Sequence, residues 1–341
     1  MPNALERIAF HAAERLRRSW FRGHWLAAAA LDRGRRPSGE GGPGRAAIDA
    51  DLDALVAADW AAVEAGHYLL PASLLERPGR AIADSRAFLM DLPKVARRRR
   101  EQGVREAAAE AGAARLPSYY RQNFHFQTGG WLTAESARLY DFQVEVLFAG
   151  AADAMRRGAL PPLGDALRRA GPGARMADLA CGTGRFLEAV KDNWPRTAAL
   201  GFDLSAAYLA AAARRLAGRR RLGLVQAPAE RLPLADGSLD AVTCIYLFHE
   251  LPPRVRTAVA AEIARVLRPG GRLVLVDALQ TGDHPPFDPL LARFPAMFHE
   301  PYFGSWLALD LPGLFGAAGL SPGPAERRFL SATRVFDKPA A

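Results

Sequence analysis

The chain has 341 residues, is 50% hydrophobic and carries a formal net charge of +9. That length supports one large domain or two modest ones with a real core, and no run of about 18 uncharged apolar residues offers a membrane span. Two cysteines, Cys181 and Cys244, exclude a disulfide-stapled scaffold; with Glu6, Arg7, Glu14 and Arg15 set among the first apolar residues, they point to a reduced, cytoplasmic protein without a secretory signal.

Residues 1–32 read as one helix, because Leu5, Ile8, Ala12, Leu16 and Trp20 recur at helical spacing among arginines. The preferred reading docks this stripe on the domain behind it. Contact with a membrane surface is the weaker alternative. Residues 33–45, rich in Gly, Pro and Ser, read as a linker. Helical patterns return over 46–115, broken at Pro71, Pro78 and Pro93. The run Arg97 to Arg100 reads as a solvated helix face rather than a phosphate-binding patch. The surplus charge is almost all arginine, as expected of a coding bias, and nucleic acid is not an expected partner.

Residues 116–131, LPSYYRQNFHFQTGGW, differ in kind: they are aromatic, with a turn at Gly129-Gly130. One helix is predicted over 133–157, capped by Thr133. From Gly173 short apolar runs alternate with helical segments. Strands are predicted at 175–180, 198–203, 222–227, 241–246 and 272–277, with helices at 186–193, 205–217 and 253–267. A helix near 310–318 and two further strands near 320–325 and 329–336 complete the pattern. Alternation of this kind predicts an α/β fold, a parallel sheet wrapped on both faces.

The first strand runs straight into Gly182-Thr183-Gly184, where small residues let backbone approach a ligand. The third glycine of a dinucleotide fingerprint is missing, because Phe186 stands there. Asp203 ends the second strand about 20 residues on, where a carboxylate can accept from ribose hydroxyls. An N-cap is the competing role for Asp203, with Ser205 the rival cap.

In order and spacing, DLACGTGRF, GFDLS, APAERLPLADGSLDAV, LFHELP and IARVLRPGGRLVLVD resemble the successive motifs of class I S-adenosylmethionine-dependent methyltransferases over residues 172–280. The resemblance implies a Rossmann-like fold with a seven-stranded, mostly parallel sheet whose last strand is antiparallel. Outside it lie an N-terminal helical extension over 1–115 and an aromatic lid segment with connecting helix over 116–170. The cofactor domain would then occupy 171–341. The cofactor implied is S-adenosylmethionine. Asp178 would hold its amino end, the turn of Ala180, Gly182, Thr183 and Gly184 would run beneath it, Asp203 would take the ribose hydroxyls, and Leu204, Ala229 and Glu230 would meet the adenine. Pro228 stands where the family commonly has an acid, so that hydrogen bond to adenine is in doubt.

His249, in the loop after the fourth strand, is the candidate catalytic base or orienting group. Tyr119, Tyr120, His125, Gln127 and Trp131 are candidates to close over the sulfonium, since aromatic faces attract cations. Packing between the helical extension and the sheet is their alternative role. His299, Glu300 and Tyr302 are candidates for the substrate side. No metal site, nucleophile elbow or P-loop is visible.

Methylation of a small apolar or aromatic molecule leads. Its rivals are intramolecular cyclisation of the cofactor with release of methylthioadenosine, a non-catalytic cofactor-binding partner, and RNA methylation, which lacks its usual Asn/Asp-Pro-Pro-aromatic motif. Homo-oligomerisation is left open.

Overall fold

The computed structural model describes residues 2–31, 42–72 and 78–340. The chain divides into two compact units. One comprises residues 1–155 and 297–299; the other comprises 156–296 and 300–341. The division falls inside the predicted 116–170 segment.

The first unit is helical. α1 (Ala4–Leu31) opens with a reciprocal cap: Glu6 N–H donates to Asn3 Oδ1 at 2.9 Å, and Asn3 N–H donates to Glu6 Oε2 at 2.7 Å. The stripe read from the sequence as its packing face is exposed. Phe10, Glu14, Phe21 and His24 are buried instead. α1 has two apolar faces, and the one with larger rings wins the core because it removes more area from water. Phe21 and His24 meet Phe142 at ring separations of 5.1 and 5.0 Å, and His24 Nε2 lies 2.7 Å from Ser85 Oγ.

The predicted linker over 33–45 lies largely outside the described residues; α2 (Arg45–Glu64) begins at its end. α3 (Pro78–Glu101) starts at one expected breaker but runs through another, Pro93. The carbonyl that loses its partner belongs to Leu89, an exposed residue, so water can replace the missing N–H. The arginine run is split rather than solvated. Arg97 and Arg100 are exposed, but Arg98 is buried and donates to Glu106, to the Phe126 carbonyl and to Thr128 Oγ1, each at 2.6 Å.

Thr133 caps α4 (Ala134–Leu147), accepting from Ser136 N–H. The helix predicted over 133–157 is two. Ala149 and Gly150 take φ of 51° and 85°, and α5 (Ala152–Arg157) follows. The Glu145 carboxylate caps the new helix by accepting from Ala152 and Asp153 N–H at 3.2 and 3.1 Å, while Arg17 balances its charge at 2.6 Å.

In the second unit, α6 (Leu160–Ala170) leads into β1 (Arg175–Leu179), α7 (Arg185–Asn193), β2 (Ala198–Asp203), α8 (Ala206–Arg215), β3 (Leu222–Gln226), β4 (Leu239–Ile245), α9 (Pro253–Val266) and β5 (Leu267–Ala278). Every strand and helix predicted here is present within a few residues. α10 (Asp288–Phe298), α11 (Phe303–Leu307), α12 (Leu311–Ala317), β6 (Ser321–Arg328) and β7 (Ser331–Asp337) follow. Seven strands form one sheet in the order β3-β2-β1-β4-β5-β7-β6, with β1 to β5 parallel and β7 antiparallel to both neighbours. Strands buried on both faces read as continuous apolar runs, and Leu273 to Val276 are buried in that way. The Pro269-Gly270-Gly271 stretch before the predicted fifth strand lies inside β5 as a register shift, with Gly270 at φ 76°.

Candidate functional site

Three acids gather at the carboxyl ends of parallel strands: Asp178 in β1, Asp203 closing β2 and Asp277 in β5. The strand order reverses between β1 and β4, where open parallel sheets hold ligands.

The turn after β1 is built on left-handed backbone. Ala180, Gly182 and Gly184 take φ of 54°, 56° and 77°. For Ala180 that conformation costs roughly 1–2 kcal/mol, which a glycine would avoid. The two glycines do different jobs. A Cβ on Gly182 would meet nothing nearer than 4.0 Å, so the space over it is open. A Cβ on Gly184, the N-cap of α7, would stand 2.8 Å from Leu216 Cδ1 and 3.1 Å from Ala212 Cβ, so its bareness lets α7 pack against α8. Thr183 between them is buried, and its carbonyl accepts from Arg215 Nε at 3.1 Å.

Asp203 ties this turn to β2. Its Oδ2 accepts from Gly182 N–H at 2.9 Å and its Oδ1 from Ser205 N–H at 2.8 Å. Ser205 is the N-cap of α8, so capping is not the role of Asp203. Each carboxylate oxygen has a second lone pair, which leaves capacity for hydroxyl donors. Burial pushes the Asp203 carboxyl up to about 6, against the pull of the Ser205, Gly182 and Leu204 N–H groups. Asp178 Oδ1 accepts from Thr243 Oγ1 at 2.6 Å across the β1–β4 pairing. Burial pushes Asp178 up to about 7; the Thr243 bond opposes this and the charge of Asp203 adds to it. Among the described residues neither acid has a basic partner. Two such carboxyls beside an open glycine turn suit a ligand carrying a cation and hydroxyls.

Leu204 is half-buried, and its carbonyl accepts from Gln226 Nε2 at 2.8 Å. Ala229 and Glu230 sit in the turn after β3, closed by Arg231 N–H donating to the Pro228 carbonyl at 3.1 Å. Pro228 thus supplies a carbonyl to the turn.

His249 is buried in the short turn after β4. Its Nδ1 lies 2.5 Å from Asp277 Oδ1 and its Nε2 3.5 Å from Glu250 Oε1. Burial alone would disfavour its charge. The Asp277 carboxylate, through charge and hydrogen bond, and then Glu250, outweigh burial and hold the imidazole well above its ordinary value. Raised in this way, the imidazole favours its protonated form, which donates a proton rather than accepting one. Glu250 thus presents Oε1 to the imidazole of His249. Phe303 packs edge-on to the ring at 5.7 Å.

Sequence reasoning gave no role to Thr243, Asp277, Arg256 or Tyr246. Arg256 is buried and donates to the Phe248 and Tyr302 carbonyls at 2.7 and 2.8 Å, joining the His249 loop to Tyr302 at the start of α11. Tyr246 follows β4 at φ 56°, a strained position like that of Ala180 after β1. The signal in the sequence for Asp277 is an acid at the end of an apolar strand, the same pattern that marks Asp178 and Asp203.

Of the remaining candidates, Tyr119, Tyr120, His125, Gln127, Trp131 and His299 fall in the first unit, while Glu300, like Tyr302, falls in the second and is buried. Phe124 stacks on Trp131 at 4.3 Å and 12°, and Tyr120 meets the same indole at 5.3 Å. Gln127 spends its amide inside the turn, donating to the Gly130 carbonyl at 3.1 Å and to Ser136 Oγ. The Tyr119 carbonyl accepts from Gln122 Nε2. His125 takes φ 54°, with Phe298 at 6.3 Å. His299 Nε2 lies 3.0 Å from Gln122 Oε1, with Phe126 at 5.8 Å. His299 therefore groups with the 116–131 segment, and Tyr302 with the His249 loop.

Comparison with known proteins adds to this geometry. A methyltransferase domain family matches residues 176–271. These residues are a class I methyltransferase domain. The cofactor of the class is S-adenosylmethionine. The chain is 38% identical over 165 residues to a demethylmenaquinone methyltransferase of Beutenbergia cavernae, covering 48% of this chain and 63% of the relative. It is 32% identical over 175 residues to a ubiquinone/menaquinone biosynthesis C-methyltransferase of Desulfotalea psychrophila, covering 50% and 65%. The chain thus spans less than two thirds of the length of these relatives. A putative sarcosine dimethylglycine methyltransferase of Galdieria sulphuraria superposes with a TM-score of 0.43 at 16% identity, covering 57% of this chain and 88% of that one. No helix among the described residues is long and apolar enough to cross a membrane.

Proposed function

We propose that this protein transfers the methyl group of S-adenosylmethionine to a small apolar or aromatic acceptor. The observation that carries the reading is the carboxyl edge of β1 and β2, where buried Asp178 and Asp203 flank the open backbone at Gly182. Asp178 would face the ammonium of the methionine part, whose charge would draw its raised carboxyl back to the ionised form. Asp203 would accept from the ribose hydroxyls with its remaining lone pairs. Leu204 and the Ala229-Glu230 turn would border the adenine. The bound cofactor supplies a methyl group on a sulfonium, open to in-line attack by a nucleophile.

The imidazolium of His249 fits an orienting role better than that of a base. It would donate from Nε2 to an oxygen of the acceptor, favouring the phenolate or enolate form that attacks the sulfur-bound methyl. The long 3.5 Å approach to Glu250 leaves that donor open to redirection. The acceptor class is supported by relatives whose names are those of quinone methyltransferases. A cytoplasmic setting is supported by Cys181 and Cys244, both free and buried.

The test is incubation with S-adenosylmethionine and a panel of demethylated quinols and phenols, followed by mass analysis of both products. S-adenosylhomocysteine with a methylated quinol is expected. Methylthioadenosine without a methylated acceptor would overturn the reading in favour of cofactor cyclisation.

A further inference from the structure

We propose that the outer face of α1 rests on an anionic lipid bilayer. Steps of three and four residues from Leu5 to Ala30 trace one row along the helix: Leu5, Ile8, Ala12, Leu16, Ser19, Gly23, Leu26, Ala30. Every residue of that row is exposed, and none is ionisable. The large side chains are among the barest in the structure: Leu5 is 77%, Leu16 75% and Ile8 63% exposed. Trp20, one turn beyond Leu16, is also exposed, and indoles favour the interface between lipid and water.

From Leu5 to Ala30 the row runs for about 38 Å, far more than a scatter of surface leucines. The opposite face of the helix is already used, since Phe10, Phe21 and His24 are buried in the first unit. The outer row is therefore a second apolar face left over after the core is satisfied.

Charge selects the occupant. Arg7 and Arg15 are exposed, and among the described residues neither pairs with an acid. Arg17, Arg18 and Arg22 are spent on Glu145, Asp53 and Asp49. The two acids of α1 offer no counterweight, because Glu6 is engaged at the cap and Glu14 is buried. A second copy of the same face would meet Arg15 at the border of the row with no acid of α1 to answer it. An anionic bilayer answers both the apolar row and the cations. This inference does not rest on the reading of the methyltransferase site.

The test uses the full chain and sedimentation with two sets of vesicles, phosphatidylcholine alone and phosphatidylcholine mixed with phosphatidylglycerol. Binding to the mixed vesicles that weakens with salt is expected. Ile8→Ser with Leu16→Ser should lower the partition coefficient by roughly tenfold or more, since two buried aliphatic side chains are lost. Arg7→Gln with Arg15→Gln should lower it less and flatten the salt dependence. All four side chains are exposed, so melting curves should match the parent; if the serine pair misfolds, the glutamine pair still decides. Absence of binding to the mixed vesicles, or binding unchanged in a folded serine pair, would overturn the proposal. So would a dimer, seen by light scattering, that the serine pair dissolves without any vesicle binding.

Discussion

The Asp277 carboxylate organises two consecutive residues of the loop after β4: Oδ2 accepts from Phe248 N–H at 2.8 Å, and Oδ1 meets His249 Nδ1 at 2.5 Å. One side chain from the neighbouring strand therefore fixes both the path of the loop and the proton on the ring. Such charge-assisted bonds are the strong ones, and burial makes this one stronger.

Asp277→Asn should separate the two effects. The amide oxygen can still accept from Phe248 N–H, so the loop is kept, while the imidazolium loses its counter-charge. Losing a hydrogen bond to a charged group costs about 2 kcal/mol, or roughly thirtyfold in turnover. The readout is the pH profile of methyl transfer: the raised value of His249 puts its limb at the alkaline side, and the substitution should move that limb to lower pH. An unchanged profile would remove His249 from the chemistry.

Asp203→Ala should weaken cofactor binding by about 2 kcal/mol, since a shared charged acceptor is lost. It also strands the Gly182 and Ser205 N–H groups, so the melting temperature should fall as well. Calorimetry on the folded variant gives the affinity. Unaltered binding there would mean that the carboxylate serves only the turn.

Gly182→Ala and Gly184→Ala form a contrasting pair. Both place a side chain at positive φ, at roughly 1–2 kcal/mol. Only the second drives a Cβ to 2.8 Å from Leu216, so it should melt at the lower temperature. The first should bind cofactor less well for its small loss of stability. Equal affinities would show that the opening over Gly182 is not the cofactor's.

Asp178 predicts a pH dependence. Its folded value of about 7 lies above the ordinary 3.8, so its contribution to stability is full below the ordinary value and is lost as pH rises through 7. The unliganded domain should weaken over that window. A cationic amino group reverses the preference, so added S-adenosylmethionine should raise the melting temperature more at about pH 8 than at about pH 6. Asp178→Asn should abolish the difference.

The second unit was legible because its signals are local and redundant. Strand-ending acids, a glycine turn and alternating periods each point to the same sheet, and every predicted strand was found. The first unit was less legible because α1 carries two apolar rows, and periodicity does not say which row meets a core. Arg98 was misread for a related reason: four consecutive arginines look alike in sequence, and only the carbonyl of Phe126 and the hydroxyl of Thr128 distinguish the second. The role of Asp277 depends on a contact 28 residues distant, which no local pattern carries.

The placement of β7 has a consequence for how the chain is made. β7 lies between β5 and β6, yet it is synthesised after both. Until residues 331–337 leave the ribosome, β5 presents an unpaired edge beside its buried apolar run, and β6 has no neighbour in the sheet. Bare edges of that kind invite pairing with other chains. The nascent domain is therefore vulnerable to aggregation until β7 emerges, and a truncation that removes residues 331–337 would be far more damaging than the loss of one strand suggests.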